Sequence, residues 1–136
     1  MRIDIKKIVG VMAIVMCMLF CNTTNAYAGL SKPTTKKSLA IDSYEGYGYA
    51  NNSPLYSNYT FTGVSKMRLT VENNSSKNNL VVKVYQCGFL WDSCVSTVTV
   101  PKNGETKWTI STEKAEDYYV RFEAPSNFNW KIEKGK

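Results

Sequence analysis

The chain has 136 residues, with 17 Lys and Arg against 11 Asp and Glu, a formal net charge of +6 and no histidine. Without imidazole, Ser-His-Asp and Cys-His catalysis, the His-based metalloprotease motif and the ordinary pH switch near neutrality are all excluded. There is no glycine-rich phosphate loop and no run of alternating acidic residues suited to calcium, so neither a cofactor nor a metal is expected.

The N-terminus carries Arg2, Lys6 and Lys7, then an apolar run from Ile8 to Cys21, then Ala26-Tyr27-Ala28. A charged start, an apolar stretch and small residues at two alternate positions predict a signal peptide over 1–28, cleaved after Ala28, and a secreted, extracellular product. The apolar run is shorter than the roughly 20 residues of a membrane-spanning helix. Met16 and Phe20 precede Cys17 and Cys21, where a lipoprotein peptidase needs a small residue, so no lipid anchor is expected. From Gly29 onward, 14 basic residues stand against 10 acidic ones, dispersed along the chain. That balance suits wall polymers or lipid headgroups and offers no basic stripe for nucleic acid.

Residues 29–38 are polar and are expected to be flexible, and 39–136 to form one domain. Leu39 to Tyr49 reads as an edge strand or a lid loop. Beyond it, period-2 alternation dominates. Met67, Leu69 and Val71 alternate with Lys66, Arg68, Thr70 and Glu72. The Asn73–Asn79 cluster is a turn, Leu80–Cys87 a more deeply buried strand, and Val95–Val100 another. Pro101–Gly104 is a turn in which Gly104 is free to take a positive φ. Trp108 and Ile110, then Tyr118, Val120 and Phe122, then Phe128, Trp130 and Ile132 mark three further strands. Short strands at this spacing predict an all-β fold: a single small antiparallel β-sandwich, jelly-roll-like.

Two features stand out as candidate sites. Cys87 and Cys94 flank a loop between two strands, and an even cysteine count in an exported chain predicts a disulfide bracing that hairpin. A zinc site would lack its remaining ligands. Between the cysteines lie Phe89, Leu90 and Trp91, three consecutive bulky residues that alternation cannot bury on one face. Either the tip folds back to cap the sandwich, or it stands out to meet a partner, a sugar or a lipid interface. Second, Tyr44, Tyr47, Tyr49, Tyr56 and Tyr59 crowd the same region as Asn51, Asn52 and Asn58. Rings beside amides suit a glycan, and Tyr47, Tyr49 and Tyr56 are the candidates. The carboxylates Glu45, Glu72, Asp92, Glu105 and Glu123 read as surface charge, and no enzymatic activity is expected.

Four segments, Tyr56–Thr62, Leu69-Thr70-Val71, Asn79–Tyr85 and Tyr118–Phe122, resemble in order the strands of the bacterial pre-peptidase C-terminal type of β-sandwich. Asn79 stands where that family usually has Asp. The resemblance implies a non-catalytic binding or accessory module of the kind attached to secreted hydrolases. The function expected from the sequence is therefore a secreted binding protein at the cell surface, acting on wall or matrix glycan. The alternatives are an antimicrobial or toxin-like protein making peripheral contact with a target membrane, and an inhibitor of an exported enzyme.

Overall fold

The computed structural model describes residues 25–136; most of the expected leader, 1–24, lies outside the described residues. In chain order the strands are β1 (Asn25–Tyr27), β2 (Lys36–Ser38), β3 (Tyr44–Ala50), β4 (Leu55–Tyr56), β5 (Thr60–Thr62), β6 (Lys66–Asn73), β7 (Leu80–Gln86), β8 (Ser93–Val100), β9 (Glu105–Ser111), β10 (Tyr118–Phe122) and β11 (Ser126–Lys134). No helix occurs among the described residues.

The strands form two sheets. One has the order β1-β3-β11-β6-β9, and the other the order β2-β5-β10-β7-β8 with β4 also paired to β10. Alternation sets their faces. In β6, Met67, Leu69 and Val71 are buried while Lys66 and Glu72 are exposed. In β11, Phe128, Trp130 and Ile132 point inward and Asn129 outward. The two inner faces meet in one core around Phe61, Phe122, Phe128, Leu55, Leu69 and Val84. Phe122 of one sheet stacks on Phe128 of the other with ring centroids 3.9 Å apart. Each such side chain contributes about 1.5–3 kcal/mol by leaving water.

The expectation of a purely antiparallel sandwich needs correction. β1 pairs with β3 in parallel, and β2 pairs with β5 in parallel. Both are three-residue strands from the N-terminal segment, and the chain between partners is long enough for the crossover that parallel pairing demands. Lys36–Ser38 of the stretch expected to be flexible thus joins a sheet edge. At the other end of that stretch, Gly29 exchanges both backbone hydrogen bonds with Tyr56 at 2.8 Å. Ala28, which the expected cleavage would remove, is buried, and its N–H donates to the Tyr47 carbonyl at 2.8 Å.

β3 is the ambiguous Tyr-Gly segment, and the structure explains its composition. Large β11 residues lie opposite small β3 residues: Phe128 faces Gly48 and Trp130 faces Gly46. A Cβ on Gly48 would come within 2.6 Å of the Phe128 ring and 2.8 Å of Leu55. At Gly48 the inward position therefore stays empty of a side chain and the Phe128 ring fills the space. The intervening Tyr47 and Tyr49 are driven to the solvent face.

The β8–β9 turn also departs from expectation. Asn103, not Gly104, takes the positive φ, at 56°. Gly104 is needed for space, since a Cβ there would lie 2.8 Å from the Pro101 ring. The Asn73–Asn79 turn is held by its own amides. Buried Asn73 donates to the Asn78 and Val100 carbonyls at 2.9 and 3.1 Å, and Asn79 accepts from the Lys102 N–H at 3.1 Å.

Candidate functional site: the β7–β8 tip

β7 and β8 run antiparallel, and the loop joining them leaves the sheet entirely. Phe89 is 101% exposed, Leu90 75% and Trp91 74%. The tip does not fold back over the sandwich. Three adjacent bulky residues held in water form the kind of apolar patch that soluble proteins reserve for contact.

The expected disulfide is absent: Cys87 and Cys94 are both free. The ladder gives the reason. Tyr85 faces Cys94 and Gln86 faces Ser93, with a register shift after Val84 that leaves Val95 unpaired. Cys87 lies two residues past the partner of Cys94, in a diagonal relation, and diagonal cross-strand neighbours stand roughly 7–8 Å apart, beyond the usual disulfide separation. The Cys87 N–H instead donates to the Asp117 carbonyl at 2.8 Å. Burial, with the Asp92 and Asp117 carboxylates nearby, pushes the Cys87 thiol up, which keeps it protonated and weak as a nucleophile.

Asp92 braces the loop in place of a disulfide. Its Oδ1 accepts from the Gly88 N–H at 3.2 Å, closing the loop across its base. Its Oδ2 accepts from the Tyr119 hydroxyl at 2.7 Å and pairs with Lys32 Nζ at 2.8 Å. Gly88 is required here, because a Cβ would fall 2.0 Å from the Trp91 carbonyl oxygen. Tyr119, from β10, is itself fixed. Its ring stacks on Tyr85 at 5.3 Å and leans on Tyr56 at 6.1 Å, and the Lys32 ammonium lies 5.4 Å from its centroid. Burial alone would raise the Asp92 carboxyl, but the hydrogen bonds from Lys32, Tyr119 and Gly88 outweigh it and hold the group below the ordinary carboxylate range. The bond to Asp92 keeps Lys32 above its usual value, and burial with the same carboxylate holds the Tyr119 phenol in its neutral form.

The structure separates the other sequence candidates. Tyr56 lies on the outer face of the β10 sheet, with Arg121 5.9 Å above its ring. Tyr47 and Tyr49 lie on the outer face of the opposite sheet, 45% and 56% exposed. Asp92, Lys32 and Tyr119 were not legible as a unit. Only the Asp placed just inside the second cysteine hinted at a turn-stabilising acceptor. Among the described residues, no group of three or more Cys, Asp or Glu is arranged to hold a metal.

No family model matches the chain, and no curated protein does. The pre-peptidase resemblance thus rests on its four strand motifs alone. Among solved structures, the chain is similar to Aeromonas hydrophila PliG, a periplasmic lysozyme inhibitor of g-type lysozyme, with 10% identity over 81% of this chain and 98% of that one and a TM-score of 0.42.

Proposed function

We propose that the protein is an exported, non-catalytic binding protein that docks Phe89, Leu90 and Trp91 into an apolar recess of another exported protein, in the manner of an inhibitor. The observation that carries this reading is the full exposure of Phe89, with Leu90 and Trp91 beside it, on a loop held by Asp92. A loop ordered before it meets its partner loses less conformational freedom on binding.

The surroundings of the tip separate this reading from its rivals. Residues 87–93 include no amide side chain, and the Asp92 carboxylate is already engaged by Gly88, Tyr119 and Lys32. A sugar stacked there would find few hydrogen-bond partners beyond the Ser93 hydroxyl and the Trp91 indole. Lys32 and Lys36, the cations at the base of the loop, are already paired with Asp92 and Asp117 at 2.8 and 3.0 Å, which leaves little attraction to an anionic membrane. An apolar protein pocket asks only for the rings and the leucine. Trp91 is the anchor most suited to such a pocket, and truncating an anchor costs about 2 kcal/mol or more, a weakening of roughly thirtyfold.

The test uses the mature protein and its Trp91→Ala and Phe89→Ala variants as baits for proteins exported by the same cells, with vesicle leakage in parallel. The expected result is one exported protein retained by the wild type and released by both variants. Retention indifferent to the tip, or leakage from anionic vesicles without any protein partner, would overturn the proposal.

A further inference from the structure

The outer face of the β3 sheet, opposite the tip-bearing sheet, carries a different surface. Pairing aligns its side chains in rows across strands. Tyr49 faces Asn127, and Tyr47 faces Asn129, which faces Glu72, which faces Glu105. The next row is Glu45, Lys131, Thr70 and Lys107. Two open hollows of about 340 and 320 Å³ lie beside these rows, at the lower end of the range for small-ligand sites. One is lined by Thr70, Glu72 and Asn129, the other by Asn51, Asn74, Ser76 and Asn127. Tyr49 and Asn127 border the second hollow and Asn129 the first, and Tyr47, paired with Asn129, stands in the row next to Tyr49 and Asn127.

We infer that this face is a binding site for an uncharged oligosaccharide chain, lying across Tyr47 and Tyr49 with its hydroxyls bonded to Asn127, Asn129 and Glu72. The rings offer flat faces for the apolar C–H side of a sugar ring, and an amide or carboxylate beside each ring matches the hydroxyl edge. Charge selects the ligand class. The first hollow carries Glu45, Glu72 and Glu105 against Lys131, which pairs with Glu133 at 3.7 Å, and Lys107 lies 3.7 Å from Glu105, so the face has no excess of positive charge. A polyanionic chain would find no basic groove there. Gly48 makes the platform possible, because the Phe128 ring packs directly beneath it while the flanking Tyr47 and Tyr49 turn outward. This site is independent of the tip.

The experiment is a glycan array of neutral glucans, mannans, galactans and N-acetylhexosamine oligomers, with uronate oligomers as the anionic class, probed with the mature protein. Capture on at least one neutral class is expected, weakened about tenfold or more in Tyr47→Ala and in Tyr49→Ala. Asn129→Ala, an exposed polar substitution that spares the strand, is expected to weaken capture as well. Trp91→Ala is expected to bind as the wild type does, which keeps this site distinct from the tip. Capture of no neutral glycan, capture of uronates alone, or capture unaffected by Tyr47→Ala and Asn129→Ala would overturn the inference.

Discussion

Asp92 shows how much a single carboxylate can organise. It accepts from a backbone N–H, a phenol and an ammonium, and the last two come from β10 and from the N-terminal segment. Hydrogen bonds to a charged group contribute about 1.5–3 kcal/mol each when sheltered, and less where a partner such as Lys32 is half exposed. Asp92→Ala is expected to leave the sandwich folded, to lower its stability by about 1–2 kcal/mol and to speed hydrogen exchange of the Gly88 amide. The pH dependence follows from the direction of the shift. The Asp92 carboxyl titrates lower folded than unfolded, so its stabilisation is fully present above the ordinary value of 3.8 and is lost as pH falls through the depressed one. Denaturation of the wild type and Asp92→Asn at neutral pH and below about pH 4 checks this. The difference between them should shrink on acidification.

At the scale of elements, β3 and the β7–β8 hairpin show where sequence patterns suffice and where they do not. The alternation of Tyr44, Tyr47 and Tyr49 with glycines left β3 open between edge strand and lid loop, because glycine carries no hydrophobic signal. Only the neighbouring β11 reveals that the Phe128 ring fills the space at Gly48. Gly48→Ala should therefore destabilise the domain by about 1–3 kcal/mol through overpacking, read as a lower urea midpoint. In the hairpin, the two strands and their apolar tip were legible, but the disulfide was not. Pairing two cysteines needs a register: the Val84–Ser96 pairing, continued, would already set Cys94 opposite Gln86, and the shift between Val84 and Tyr85 moves Cys94 one residue further from Cys87. Local sequence does not specify such a shift, since both registers keep Val82 and Val84 facing inward.

Over the whole molecule, the burial pattern separates residues that hold the fold from residues that face outward. Phe122 is fully buried and stacked on Phe128, whereas Phe89 and Trp91 touch solvent. Phe122→Ala is expected to cost about 3–5 kcal/mol, enough to unfold much of a domain whose total stability is about 5–15 kcal/mol. Trp91→Ala is expected to change the thermal midpoint little, within about 0.5 kcal/mol. Thermal unfolding of the two variants side by side measures both. A Trp91 variant as damaged as the Phe122 one would mean that the tip is packed after all.

What the sequence determined by itself was the all-β class, the phase of most strands and the positions of most turns. Those depend on neighbours two residues apart and on backbone preferences that act locally. The tertiary structure decided the parallel edge pairings, the exposure of the tip, its closure by Asp92 rather than by sulfur, and the placement of Tyr47 and Tyr49 on a different sheet from Tyr56. Each of these depends on which distant segment lies alongside, and that is set by the packing of the two sheets around one core.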